Sequence, residues 1–321
     1  MRVLVTGATG FIGQNATNRL VDEGHEVFCL IRDRKKANVL PQDVHIIEKD
    51  LTKVTLDDFP DNIDVVFHLA AQLGHYTISA ETYQRVNSDS TRKLIEIADK
   101  KSVKQFVFCS AGFVVGYGKN MTEDMPYDVS KGYAETKALA EKFVINHRSS
   151  GINYTIIRPG YIYGPGDERR VALYKSIRKG TFILTTSGKA EFSPTYISDF
   201  LDGMMLVCMN EKAYGKIYNV CAENSSIKDY FETVAKIEGV LLKKIPIGYI
   251  PTKVIATCLD GLSMKLRNKP GIITPSRADF IGRDHSLSCK KICSELGYAP
   301  KVSLECGIKQ SIDWAIANKL M

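Results

Sequence analysis

The chain has 321 residues, 44% of them hydrophobic, a net charge of +7 and eight cysteines, enough length for one large α/β unit or a main domain with a smaller partner. The positive excess is spread thinly. Its densest cluster, Arg32 to Lys36, is too short and too poor in aromatic neighbours for a nucleic-acid groove and suits a phosphorylated small ligand instead.

The uncharged run at residues 105–118, like every other in the chain, falls short of the ~18 apolar residues of a membrane span. A cytoplasmic protein is expected. Cys29 and Cys109 lie inside apolar runs, and Cys208 and Cys221 flank similar ones, where a thiol behaves as a small reduced hydrophobe. Cys289 and Cys293 are four apart, but no companion CxxC or spaced histidine pair accompanies them, so no metal site is expected.

Short apolar runs alternate with helix-like charged segments: VLVT at 3–6, EVFCLI at 26–31, VHII at 44–47, DVVFHL at 64–69, QFVFC at 105–109 and YTIIR at 154–158. This alternation predicts an α/β fold, a doubly wound parallel sheet between helices. The rhythm breaks after RPGYIYGPGD at 158–167. A main domain over residues 1–160 and a smaller C-terminal substrate lobe over 161–321 are therefore expected. The lobe is discontinuous, because a late strand near 216–221 returns to the sheet.

The first run continues as TGATGFIG, with Gly7, Gly10 and Gly13 ahead of an amphipathic segment. Strand, glycine bend and helix together form a dinucleotide cradle: bare backbone approaches the pyrophosphate, and the helix N-terminus favours the anion. The second run ends at Ile31 and is followed by Arg32, where a carboxylate would grip the ribose of NAD and an arginine accommodates the extra phosphate of NADP. Asp33 comes after the arginine, where the strand turns away, so NADP is preferred and NAD is the alternative.

In KGYAETKALAEKF, residues 131–143, Tyr133 and Lys137 stand at i and i+4 on one helix face. An ammonium beside a phenol favours the phenolate and lets the tyrosine exchange a proton with a substrate oxygen.

With TGATGFIG, YAETK and RPGYIYGPGD in this order, the chain resembles the extended short-chain dehydrogenase/reductase family, which includes sugar-nucleotide epimerases, 3β-hydroxysteroid dehydrogenases and dihydroflavonol reductases. The likeness spans nearly all of the chain and implies a Rossmann-type domain. It also implies coenzyme contacts at Gly7, Thr9, Gly10, Phe11, Ile12, Gly13 and Arg32. KDL at 49–51 resembles an adenine-contacting turn, placing Asp50 and Leu51 there, and FHLAA at 67–71 implies Leu69, Ala70 and Ala71 beside the nicotinamide-side ribose. Tyr133, Lys137 and Pro159 complete the implied coenzyme set. Asn87 matches the asparagine that precedes the long dimer helix, so a homodimer through helices near 81–100 and 131–148 is expected.

The resemblance sets a hydroxyl at the end of the fifth strand. Two alignments place it on Ser110 or on Ala111; Ser110 is preferred because alanine cannot position an oxygen. Ala111, Gly112 and Phe113 carry no titratable group, which argues against a dehydratase. Phe192 stands where epimerases commonly have a phosphate-binding arginine; Arg169, Arg170 or Arg178 are candidate substitutes. His68 reads as a structural histidine satisfied by backbone, while His75 and Tyr76 are candidate substrate contacts. Residues 243–266 read as lobe core or as the wall of an apolar pocket.

The expected activity is interconversion of a secondary alcohol and a ketone at a nicotinamide coenzyme, with Ser110, Tyr133 and Lys137 as catalytic residues and a small molecule as substrate. The alternatives are a sugar-nucleotide epimerase using the same residues and a non-catalytic coenzyme-binding scaffold.

Overall fold

The computed structural model describes residues 1–74, 78–129, 132–147, 151–267 and 274–321. The apolar runs become the strands of a seven-stranded, wholly parallel sheet: β1 (Arg2–Thr6), β2 (Glu26–Ile31), β3 (His45–Glu48), β4 (Val65–His68), β5 (Gln105–Cys109), then Asn153–Pro159 and Lys216–Val220. From one edge the order is Lys216–Val220, Asn153–Pro159, β5, β4, β1, β2, β3. The late strand thus joins the sheet, with Tyr218 opposite Ile157.

The chain leaves β1 toward β2 and later returns to β1's other side as β4, with Val3 opposite both Val27 and Val65. Such a reversal opens a crevice at the carboxyl ends of the strands, where ligands of open α/β sheets bind. Both faces are covered, so the strands are apolar throughout rather than alternating. Val5, Phe67 and Val107 point to one buried cluster with Leu20 of helix Phe11–Asp22; Leu4, Val66 and Phe108 point to another with Leu94 and Val144.

The expected helix near 81–100 is a composite: Ala80–Tyr83, a π-helical segment Gln84–Asp89, and Ser90–Lys100. The wider π turn brings Asn87 inward, where its side chain bonds both backbone groups of Gln72 and the Thr136 hydroxyl, consistent with π segments marking functional positions. The expected helix at 131–148 is described over Tyr133–Asn146.

A second, four-stranded sheet joins Ser225–Ser226, Glu191–Phe192 and His285–Leu287 from beyond residue 160 with Gly118–Met121 from before it. Phe192 is buried among Tyr161, Tyr230, Phe280 and His285, with ring centroids 5.3–5.7 Å away. Residues 243–266 depart from the expectation of lobe core. Helix Tyr249–Arg267 turns Thr252 and Ala256 inward and leaves its large aliphatic side chains in solvent. Thr252 bonds Thr185 O, and Tyr249 and Lys253 bond Asp279 of helix Pro275–Gly282, which reverses the amphipathic orientation that apolar content alone suggests. Among the described residues no helix is long and apolar enough to cross a membrane.

Candidate active site

The glycine bend lies at the carboxyl end of β1, beside the reversal crevice. Gly7 has φ +71°, and a Cβ there would sit 2.7 Å from Ala70 Cα; a Cβ on Gly13 would sit 2.0 Å from Gly7 O. Only bare backbone fits. Gly10 caps helix Phe11–Asp22 with no side-chain hydrogen bond, leaving the helix's first amides available to an anion. This chemistry fits a dinucleotide pyrophosphate.

Around the bend, Leu69, Ala70 and Ala71 follow β4 as half-buried residues, and the Ala70 amide donates to the Thr6 hydroxyl at 3.2 Å. On the other side Arg32 is exposed just past β2, while Asp33 spends its carboxylate on the Lys35 amide at 3.0 Å, capping a short 3₁₀ turn. Asp50 likewise caps the turn at Leu51, accepting from the Thr52 amide and hydroxyl; those bonds, with Arg32 nearby, hold its carboxyl below the usual range.

The Tyr133 helix packs against Gln84–Asp89, Ser90–Lys100 and the turn Gly112–Val115 that follows β5. Lys137 is fully buried with its ammonium 4.1 Å from the centre of the Phe108 ring; burial pulls its pKa down to about 8. Tyr133 is half-buried against the cluster of Ala111, Val114 and Leu287, and Pro159 ends the neighbouring strand. Burial raises the phenol's pKa, with the Cys109 thiol adding to the rise and Arg169 opposing it. Desolvation is the largest influence on the phenol, and it favours the protonated form.

Ser110 continues β5, its amide donating to Ile157 O at 2.8 Å. Its hydroxyl is buried and has no hydrogen-bond partner among the described residues. A buried hydroxyl left unpaired costs about 1–3 kcal/mol, which favours any oxygen able to bond it. Ala111 beside it is buried in the apolar cluster that holds Tyr133.

His68 lies between the Thr6 and Thr91 hydroxyls at 2.7 and 2.8 Å. Side-chain hydroxyls rather than backbone satisfy it, and burial with the Lys137 charge lowers its pKa well below the ordinary value. Thr91 donates on to Asn87 O, and Asn87 reaches Thr136, which donates to Tyr133 O. This buried polar chain holds the start of the Tyr133 helix against the crevice. His75 and Tyr76 lie outside the described residues.

The arginines that were to replace the missing anion clamp have other partners. Arg178 pairs with Glu238; Arg170 lies 3.8 Å over the Tyr161 ring and 3.3 Å from Asp167. Arg169, though 3.2 Å from Asp167, is exposed and close enough to act on Tyr133.

His285 is a residue that no motif singles out. It is buried between Phe113, Phe192 and Phe280. Nδ1 donates to Arg283 O at 2.9 Å, which leaves a buried Nε2 acceptor with no partner among the described residues. Its neighbours come from segments far apart in the chain, so nothing in local sequence signals it. Among the described residues no group of three metal-ligating side chains converges.

The family model described as "NAD dependent epimerase/dehydratase family" matches residues 3–221. The "3 beta-hydroxysteroid dehydrogenase/Delta 5-->4-isomerase" of Mycobacterium tuberculosis (strain ATCC 25618 / H37Rv) is 27% identical over 98% of this chain and 90% of the relative. The "UDP-N-acetyl-alpha-D-glucosaminuronate decarboxylase" of Bacillus cytotoxicus is 27% identical over 98% of this chain and 97% of that one. Among solved structures, UDP-glucuronic acid 4-epimerase from Bacillus cereus in complex with UDP-glucuronic acid and NAD superposes over 100% of both chains at TM-score 0.79 and 23% identity. The matched segment runs from the glycine bend through the late strand of the sheet, so the chain belongs to the NAD dependent epimerase/dehydratase family, among the extended short-chain dehydrogenases/reductases, and is an enzyme of that nicotinamide-dependent class.

Proposed function

We propose that this enzyme is an NADP-preferring oxidoreductase that interconverts a secondary alcohol and a ketone on an apolar, ring-bearing small molecule. The observation that carries this reading is the buried, unpartnered Ser110 hydroxyl at the end of β5, beside a half-buried tyrosine whose phenol is kept protonated. A bound nicotinamide coenzyme supplies or accepts the hydride. Tyr133 gives its proton to the substrate oxygen during reduction and takes it back during oxidation. Ser110 hydrogen-bonds and orients that oxygen, and Lys137 provides the charge that offsets a phenolate and a partner for the coenzyme ribose. Gly7, Thr9, Gly10, Phe11, Ile12 and Gly13 would cradle the pyrophosphate, Asp50 and Leu51 the adenine, and Leu69, Ala70, Ala71 and Pro159 the nicotinamide half.

A steroid-like substrate, as in the mycobacterial relative's name, agrees with Phe192 and its aromatic neighbours occupying the place of a phosphate clamp. The second reading, a sugar-nucleotide epimerase, draws on the UDP-sugars named for the solved neighbours. The two separate by following reduced-nicotinamide absorbance with cyclic ketones, alcohols and nucleotide sugars. Net coenzyme consumption with a ketone supports the first, and turnover of a nucleotide sugar with no absorbance change replaces it with the second. A cytoplasmic homodimer is part of the same proposal, with the cleft between Arg85 and Leu139, lined by Glu81 and Glu135, as the seat of the partner's helix.

Ser110→Ala is expected to lower kcat roughly a hundredfold while leaving thermal stability unchanged or slightly raised, since no internal hydrogen bond is lost. Steady-state kinetics with a melting curve on one sample checks both halves; an equal loss of activity and stability would make the serine structural. Arg32→Ala is expected to raise KM for NADP about tenfold, the scale of one charge-assisted hydrogen bond, and to leave KM for NAD nearly unchanged. Equal effects on both coenzymes would remove the arginine from 2′-phosphate recognition.

A further inference from the structure

Helix Tyr249–Arg267 carries Ile250, Val254, Ile255, Leu259, Leu262 and Leu266 on one half of its circumference, all facing solvent; Ile250 and Leu266 are each 71% exposed. The preceding segment extends the patch with Leu241, Ile245 and Ile247, also exposed. The helix is held to the protein by its polar and small side: the Thr252 hydroxyl reaches Thr185 O, and Tyr249 and Lys253 both hydrogen-bond to Asp279. Isolated exposed aliphatics need no explanation, but a contiguous stripe along 19 residues marks an interaction surface.

Charge selects the partner. From residue 241 to 266 the exposed charged residues are Lys243, Lys244 and Lys265, and the one carboxylate, Asp260, is half-buried; Lys244 shares its charge with Glu232 and Lys253 with Asp279. A second copy docked face to face would set lysine rims against each other, since a two-fold contact uses the same patch twice. An anionic lipid surface offers the complement: acyl chains for the aliphatic stripe and headgroups for the ammonium groups. As the helix is not apolar enough to span a bilayer, it would lie in the interface plane. We propose that helix Tyr249–Arg267 and the preceding segment form a docking face for anionic membrane surfaces.

The inner, anchoring side of the helix, not the exposed stripe, lies toward the loop after Ser110. Tyr117, in the loop after Ser110, feels the charges of Asp279, Arg283 and Lys253, and Arg283 lies 3.7 Å over its ring.

The test is flotation of the full-length protein, without substrate or coenzyme, with vesicles of phosphatidylcholine mixed with phosphatidylglycerol and with phosphatidylcholine alone. The wild type is expected to float with the mixed vesicles, roughly tenfold more than with the neutral ones, and to be released by salt. Leu262→Glu with Leu266→Glu, both exposed and checked by circular dichroism for an unchanged fold, is expected to abolish flotation. Lys243→Gln with Lys265→Gln is expected to reduce it roughly tenfold. The proposal is overturned if the wild type stays with the unbound fraction, if the glutamate variant floats equally well, or if that variant converts a dimer to a monomer while neither form floats. Since binding is read without turnover, failure of the catalytic reading leaves this result intact, and the converse holds.

Discussion

Tyr133→Phe is expected to reduce kcat roughly a thousandfold, within the range for loss of a positioned general acid, with coenzyme affinity and fold retained. The hydroxyl is the only group lost, and the ring stays packed beside Ala111 and Leu287. The pH profile gives a second readout. Burial raises the phenol's pKa and lowers that of Lys137 to about 8, so at neutral pH the tyrosine carries its proton and the lysine its charge. Ketone reduction by the wild type is therefore expected to hold up to about pH 8 and to decline above it, as Lys137 loses the charge that offsets a forming phenolate. In the phenylalanine variant the residual rate should lose this inflection. Stopped-flow measurement of coenzyme oxidation across the pH range, with coenzyme binding followed by fluorescence, checks both. A variant that retains a tenth or more of wild-type kcat would remove Tyr133 from the chemistry.

Glu141→Ala is expected to cost about 3–5 kcal/mol, because it strands a buried guanidinium. Glu141 follows Tyr133 and Lys137 down the same helix and is completely buried; it takes two hydrogen bonds from Arg158, at 3.0 and 2.7 Å, and one from the Tyr127 hydroxyl at 2.9 Å. Arg158 precedes Pro159 in the neighbouring strand, so the pair fastens the Tyr133 helix to the sheet at the level of the crevice. The loss is a large share of the roughly 5–15 kcal/mol that holds a domain folded. Replacing both partners, Glu141→Leu with Arg158→Met, should recover most of it, since no charge then remains buried alone. Denaturant titration of the two single variants and the double closes the cycle. If the double variant is as unstable as the sum of the singles, the pair is not coupled as drawn.

The seven sheet strands were legible because a strand buried on both faces must be apolar along its length and must end in polar or glycine residues, as at Val3–Gly7 and Phe106–Ser110. The glycine bend was equally legible, since its requirement is local: no side chain fits against Ala70. Tyr133 and Lys137 could be paired from helical spacing alone. What spacing could not reveal was their environment. Burial raises the phenol's pKa and lowers that of the ammonium, an effect that helical spacing does not carry.

Other features depend on contacts between distant segments. Asp33 was set aside on its order in the chain, and the structure adds that its carboxylate is committed to Lys35. His68 was read as structural, yet its hydroxyl partners come from β1 and from helix Ser90–Lys100. Residues 243–266 were read as core or pocket wall because composition reports how apolar a segment is, not which way it faces; the orientation was set by Thr252, Ala256 and Asp279. The sequence by itself determined the parallel α/β sheet, the glycine bend and the spacing of the tyrosine and lysine, because each follows from short-range sterics or one helical period. Only the tertiary structure decided the unpaired state of Ser110, the aromatic setting of His285 and the outward face of helix Tyr249–Arg267, because burial and hydrogen-bond partners belong to the packed assembly and not to any one segment.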